Sequence, residues 1–224
     1  MNDGNFFGPI IPTDNPLAGA PGAAHATERT ESQALAQTRC AGKALSRSQC
    51  LLLLIDLQEK LLPAIFEKER VLQNSVRLLR MAGIMGIPIV LTTQYAPGLG
   101  RTVAEIAAEV PEIKPLDKRQ FGCFGNADFC AHLGKVATAR PVLLVAGIES
   151  HICVMQTVLG ALDHGFSVHV AADAVSSRAA FNWNIGLERM KTAGAVISSS
   201  EMIIYELLAQ SGTDEFKQML PWLK

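Results

Sequence analysis

A thiol at position 153 follows closely on the apolar run Val142 to Ile148, where a buried-strand pattern gives way to a helical one. That places Cys153 in the first turn of a helix at the carboxyl edge of a sheet. Unpaired N–H groups and the positive end of the helix dipole favour a thiolate there, and the thiolate is the reactive form of cysteine. A small apolar thiol filling core space fits the same pattern. Asp56 follows five large apolar residues, Leu51 to Ile55, so its carboxylate leaves the sheet at a dry boundary, as a general base would. Gln94, Tyr95, Glu149 and Asp173 also fall at strand ends. Asp173 opens Asp173-Ala-Val-Ser-Ser177, which reads as a loop whose carboxylate and hydroxyls satisfy backbone donors, so its role is structural.

A cation beside such an aspartate and thiol would favour both anions and polarise a carbonyl. Lys118 sits in an irregular stretch, Pro115 to Phe124, with Arg119 and two aromatics, Phe121 and Phe124. Lys60 and Lys114 serve equally well by composition, and spacing does not choose among them. His151 is two residues from Cys153, so on a regular helix the two point apart and form no Cys-His dyad. No His-x-x-x-His, Asp-x-His or Cys-x-x-Cys pairing marks a metal site, and no glycine run meets the requirements of a nucleotide loop. No metal and no cofactor are expected.

The elements that must hold these residues follow from periodicity. Strands are expected at Leu51 to Asp56, Ile87 to Thr93, Pro141 to Gly147, Ser167 to Ala172 and Ala195 to Ser198. Helices are expected at Lys68 to Met85, from Asn126, at Ser150 to His164, Asn182 to Ala193 and Glu201 to Gln210. Val71, Val76, Leu78, Leu79 and Met81 are placed to face the sheet, and Ile152, Met155, Leu159 and Leu162 recur as core positions. Pro111 to Gly125 reads as irregular. The alternation predicts one domain over residues 48–224, a Rossmann-like, doubly wound α/β fold with a mainly parallel sheet and helices on both faces. Residues 1–47 read as a flexible tail with a weak helical stretch at Glu31 to Leu45. Ligands of such sheets bind outside the carboxyl ends of the strands, which is where the candidate residues lie.

Composition narrows the partners. Lys plus Arg total 20 against 21 acidic residues, a net charge of −1 with no basic block, which argues against nucleic acid. No apolar run approaches the ~18 residues that span a bilayer, so no membrane partner is expected. Five cysteines, without pairing motifs or a recognisable secretion signal, predict free thiols in the cytoplasm.

The Leu-Leu-Ile-Asp56-Leu-Gln58 strand end, the Pro-Leu-Asp-Lys118 segment and Val-Ala-Gly147-Ile-Glu-Ser-His-Ile-Cys153-Val154 resemble the isochorismatase-like, or cysteine hydrolase, superfamily. Val168-His-Val-Ala-Ala-Asp173-Ala-Val-Ser-Ser177-Arg178 extends the match, and Thr92-Thr-Gln-Tyr95 with Gly98-Leu-Gly100 is similar to the isochorismatase domain-containing proteins. The resemblance implies an Asp56–Lys118–Cys153 triad, which singles Lys118 out from its neighbours. It further implies a cis Ile148–Glu149 peptide and an oxyanion hole formed by the N–H groups of Glu149 and Cys153. Gln58, Gln94, Tyr95 and Phe121 become the expected pocket residues. Glu149 stands where many relatives have threonine or alanine, and the Asp-x-His metal motif of nicotinamidases is missing after the second strand.

The implied activity is a metal-independent cysteine amidohydrolase, cleaving a small amide or carbamoyl compound through a thioester. Two alternatives stand beside it: a vinyl-ether hydrolase using Asp56 as acid with Cys153 idle, and a catalytically silent interaction protein on the same fold. Relatives commonly form homo-oligomers, and the apolar final segment with Trp222 is placed to pack against a neighbouring copy.

Overall fold

The computed structural model describes residues 44–224; the expected tail up to residue 43, with most of its weak helical stretch, lies outside them. Within the described part Leu45 is already core, its N–H bonded to Glu206 of a late helix.

Six parallel strands form one sheet in the order β3-β2-β1-β4-β5-β6: β1 Cys50–Ile55, β2 Ile89–Gln94, β3 Leu116–Lys118, β4 Val142–Ile148, β5 Ser167–Ser176 and β6 Val196–Ser198. β1 is buried along its whole length because both faces are covered. Its side chains alternate between two layers: Cys50, Leu52 and Leu54 meet α1 (Lys68–Met85) and α5 (Ser200–Leu208), while Leu51, Leu53 and Ile55 meet α2 (Ala127–Val136), α3 (Met155–Asp163) and α4 (Ala180–Thr192). The order of strand addition reverses between β1 and β4, which opens a crevice at their carboxyl ends. Asp56 leaves β1 on one side of that crevice, and the segment carrying Cys153 leaves β4 on the other.

Three expectations are corrected. The segment read as irregular contains β3, three residues long and paired only to Thr92–Gln94; no alternation is legible in so short a strand. β5 runs on to Ser176 through the residues read as a loop, its register against β4 shifting between Val145 and Gly147. Asp173 still acts structurally, since its carboxylate accepts from the N–H and hydroxyl of Ser200 at 2.7 and 2.6 Å and fastens the start of α5. The helix expected from Ser150 to His164 is in two parts, a π-helical turn over Ser150–Val154 and then α3. A further short helix, α6 (Asp214–Met219), follows α5, and Trp222 beyond it lies under the Arg80 guanidinium of its own chain, 3.2 Å from the ring centre. That cation–π contact occupies one face of the ring assigned above to a neighbouring copy.

One buried titratable group lies in this scaffold away from the crevice. His169 on β5 is 4% exposed, and burial lowers its pKa below the usual imidazole range, against a smaller opposing pull from Glu206. Its folded pKa lies below the unfolded value, so this contribution to stability is full above about pH 6.5 and is lost as pH falls through the folded value. Thermal melts between pH 5 and 8 should show a steeper acid limb for the native chain than for His169→Gln; parallel limbs would refute the assignment.

Candidate active site

At the end of β1 the chain turns through Asp56 with φ +53°, a conformation aspartate tolerates better than most residues. The turn sends a fully buried carboxylate into the crevice. One oxygen accepts from the Thr92 hydroxyl at 2.7 Å, the other from Lys118 Nζ at 2.6 Å. Lys118 comes from β3 and reaches across β2 to make this bond, 2% exposed along the way. Its ammonium also donates to Gln94 Oε1 at 2.9 Å. Taking two ions out of water costs several kcal/mol each, and the extra partners Thr92 and Gln94 are what make the pair tenable.

Gln94 and Gln58 are buried buttresses of this pair. Gln94 donates from its amide to Arg119 O at 2.9 Å, while its own N–H donates to Gln58 Oε1 at 2.7 Å. Gln58 Nε2 donates to the carbonyls of Gln94 and Gly100 at 3.1 and 2.8 Å, stitching the loops after β1 and β2 together. Tyr95, with φ +42°, is partly exposed, and Arg119 stacks on its ring at 3.9 Å. Phe121 is more exposed still, at 55%, on the strap that follows β3.

Opposite Asp56, β4 passes so close to β1 that a Cβ on Gly147 would sit 2.1 Å from Ile55 O; its φ of +119° independently requires glycine. The peptide Ile148–Glu149 is cis, as the resemblance implies. Glu149 O then accepts from the N–H groups of Ile152 and Val154 at 3.0 and 3.1 Å, forming the π-helical turn around Cys153. The Cys153 thiol lies within electrostatic reach of the Asp56 carboxylate, so Asp56 acts on both Lys118 and Cys153.

The local setting opposes the thiolate that a helix start by itself would favour. Burial, and after it the negative charge of Asp56, push the Cys153 thiol up to about 12, and Lys118 offsets only part of this. A π-helical turn replaces the clean helix start on which that expectation rested. At rest Cys153 is therefore a thiol whose proton faces a carboxylate. Cys123 is a second buried thiol here, raised to about 11 by burial, with Lys118 and Asp56 both within electrostatic reach.

Sequence reasoning missed Thr92 and Thr157. Thr157 donates to Cys153 O at 2.6 Å and accepts from Cys123 N–H at 3.0 Å, tying the nucleophile turn to the strap after β3. Nothing in the sequence marked Thr157, because it lies opposite the Ile152, Met155, Leu159 and Leu162 face expected to be core, whereas the buried face carries Thr157, Val158 and Ala161. His151 pairs with Ser177 Oγ at 2.9 Å. Among the described residues no three His, Cys, Asp or Glu side chains are grouped to hold a metal ion, and no helix is long and apolar enough to cross a membrane.

Residues 50–202 match the isochorismatase domain. The chain belongs to the isochorismatase family. A protein described as the secreted isochorismatase effector Isc1, from Phytophthora sojae, is 35% identical over 190 residues, covering 84% of this chain and 90% of its own. Isochorismatase domain-containing protein 2 of Macaca fascicularis is 36% identical over 177 residues, covering 78% and 82%. Among solved structures, one described as MAR1 ribonuclease from Caenorhabditis elegans superposes with a TM-score of 0.74 at 32% identity over 81% of this chain and 92% of that one. Membership makes the chain a hydrolase of the isochorismatase-like type, and the doubly wound α/β fold expected from periodicity is the family's fold.

The buried pair yields a test of its own. Lys118→Met leaves Asp56 as an uncompensated buried charge and should cost about 3–5 kcal/mol in urea unfolding. Adding Asp56→Asn should recover a large part of that loss; additive losses would mean that the two charges do not depend on each other.

Proposed function

We propose that this hydrolase cleaves the C–N bond of a small amide or carbamoyl compound through a thioester on Cys153. The observation that carries the reading is the position of Asp56, a buried carboxylate hydrogen-bonded to Lys118 and within electrostatic reach of the Cys153 thiol. A thiol held near 12 is a poor nucleophile until its proton has somewhere to go, and Asp56 is the carboxylate within reach of it. As sulfur attacks the carbonyl, the proton passes to Asp56, and the carbonyl oxygen becomes an oxyanion held by the N–H groups of Glu149 and Cys153. Lys118 balances the charge of Asp56 before the transfer. Asp56 then returns the proton to the departing amine. In the second half Asp56 takes a proton from water as the water oxygen attacks the thioester carbonyl, the C–S bond breaks, and Asp56 gives that proton to the departing Cys153 sulfur as the acid is released.

Activation coupled to the substrate separates this site from one with a standing thiolate, and no metal enters the scheme. Tyr95 and Phe121 are assigned to the pocket wall, supported by their exposed rings on the segments that follow β2 and β3. The balanced charge of the chain supports a small molecule over RNA as substrate, because a polynucleotide needs a basic track to neutralise its phosphates. Free Cys50, Cys123, Cys130 and Cys153 support a reducing compartment such as the cytoplasm. A homo-oligomer belongs to the same reading, supported by Phe181 and Ile185, one turn apart on α4 and 73% and 53% exposed.

An amide and carbamoyl-compound screen read by ammonia release should find a substrate whose turnover falls by at least about 10⁴-fold in Cys153→Ala. Turnover unchanged by that substitution would mean that the C–N bond is cleaved without a thioester and would overturn the scheme. Without substrate, iodoacetamide at pH 7 should label Cys153 more slowly than it labels glutathione, since the fraction ionised is smaller. Faster labelling would mean a standing thiolate and would remove Asp56 from its role as acceptor.

A further inference from the structure

Glu149 is an acidic residue at a backbone position of the reaction centre, and one oxygen of its side chain is held twice by a single partner. Its Oε2 accepts from the Arg178 N–H at 3.0 Å and from Arg178 Nε at 3.1 Å, and the carboxylate side chain is only 11% exposed. Its carbonyl is committed as well, to Ile152 and Val154. The Cα of Glu149 is thus held from two directions, and the direction of its N–H is set by both.

Arg178 belongs to a turn with several fastenings. Ser176 Oγ donates to Phe66 O at 2.7 Å, Phe66 N–H donates to Ser177 O at 2.9 Å, and Ser177 Oγ pairs with His151. Behind the nucleophile turn, α4 approaches so closely that a Cβ on Gly186 would lie 2.9 Å from the Ser150 carbonyl carbon. The end of β5 is therefore a fixed platform, and the Glu149 carboxylate is the side chain by which the nucleophile turn is hydrogen-bonded to Arg178 on it.

We propose that Arg178 is a positioning residue for the oxyanion hole, acting through the Glu149 carboxylate to aim the Glu149 N–H at the developing oxyanion. The proposal rests on the thioester reading above. It assigns Glu149 a side-chain function in addition to its backbone one, and it explains why a charged residue is accommodated here: its charge is spent on Arg178 and does not face the substrate.

Two probes that react at the same sulfur separate aiming from general support. With p-nitrophenyl acetate, the Cys153 S–C bond forms through a tetrahedral oxyanion, the aryl C–O bond breaks, p-nitrophenolate leaves and the thiol proton passes to Asp56. With iodoacetamide, the S–C bond forms as C–I breaks, iodide leaves with the electron pair, the proton again passes to Asp56 and no oxyanion arises. Glu149→Ala should slow the p-nitrophenolate burst by about 10- to 100-fold, part of what an oxyanion donor is worth. Arg178→Ala keeps the backbone N–H bond and should slow it less, by about tenfold, with the double variant no worse than Glu149→Ala alone. Glu149→Gln keeps an acceptor of the same shape and should stay within about threefold of the native rate. Alkylation by iodoacetamide should be unchanged within about twofold throughout. Native burst rates in Glu149→Ala and Arg178→Ala would overturn the proposal, and so would a parallel fall in alkylation, which would make the pair a support of the whole turn. A burst that survives in Cys153→Ala would defeat the thioester reading itself, and this proposal with it.

Discussion

A buried carboxylate and a buried ammonium, 2.6 Å apart and 0% and 1% exposed, set the terms for everything else in the crevice. Neither ion is tolerable alone in that environment, and together they still need further hydrogen bonds. Thr92 supplies one to Asp56 and Gln94 one to Lys118, so the carboxyl end of β2 carries polar side chains where an ordinary buried strand would carry aliphatic ones. Gln94 must in turn be held, which engages Gln58 and through it the loops after β1 and β2. A shell of buried amides and hydroxyls thus grows outward from one ion pair. Burial, and after it the same carboxylate, keep the thiol protonated, so the crevice favours a resting site over a permanently armed one.

The strand order explains how residues so distant in sequence meet. Asp56 and Cys153 flank the point where the connections diverge, and Lys118 arrives from the third strand out. In such sheets the divergence leaves the only gap at the carboxyl edge that no crossover helix closes, and a site there follows from topology. Gly147 fixes the width of the gap. Its missing side chain lets β4 lie against β1 at the level where the reacting groups must face each other.

Much of this is legible in the sequence, for identifiable reasons. Asp56 and Cys153 stand where long apolar runs end, and an apolar run followed by a polar residue is a direct signal of a sheet edge. Asn126 opens α2 with its side chain accepting from Phe129 N–H, as its residue type suggests. Lys118 is not legible in the same way, because three residues are too few for a period of two to be seen; only the family resemblance separates it from Lys60 and Lys114. The protonation of Cys153 is likewise hidden, because it depends on the distance to Asp56, almost a hundred residues away. Helix-start reasoning describes the local backbone and is silent about that charge. The two-part helix after β4 escapes sequence reading as well, since its apolar positions are compatible with an uninterrupted α-helix.

The shortness of β3 matters beyond its geometry. Its three residues are bound to a single neighbour, β2, at the margin of the sheet, whereas Asp56 sits on a strand sandwiched at the centre. Local opening starts where backbone bonds are fewest, so amide exchange at Leu116–Lys118 is expected to run ahead of exchange in β1 and β4. A fluctuation that peels this margin withdraws the ammonium and leaves the carboxylate unbalanced while the rest of the sheet stands. The competence of the crevice is then a property of the least anchored strand, and it decays under heat or denaturant before the global fold does.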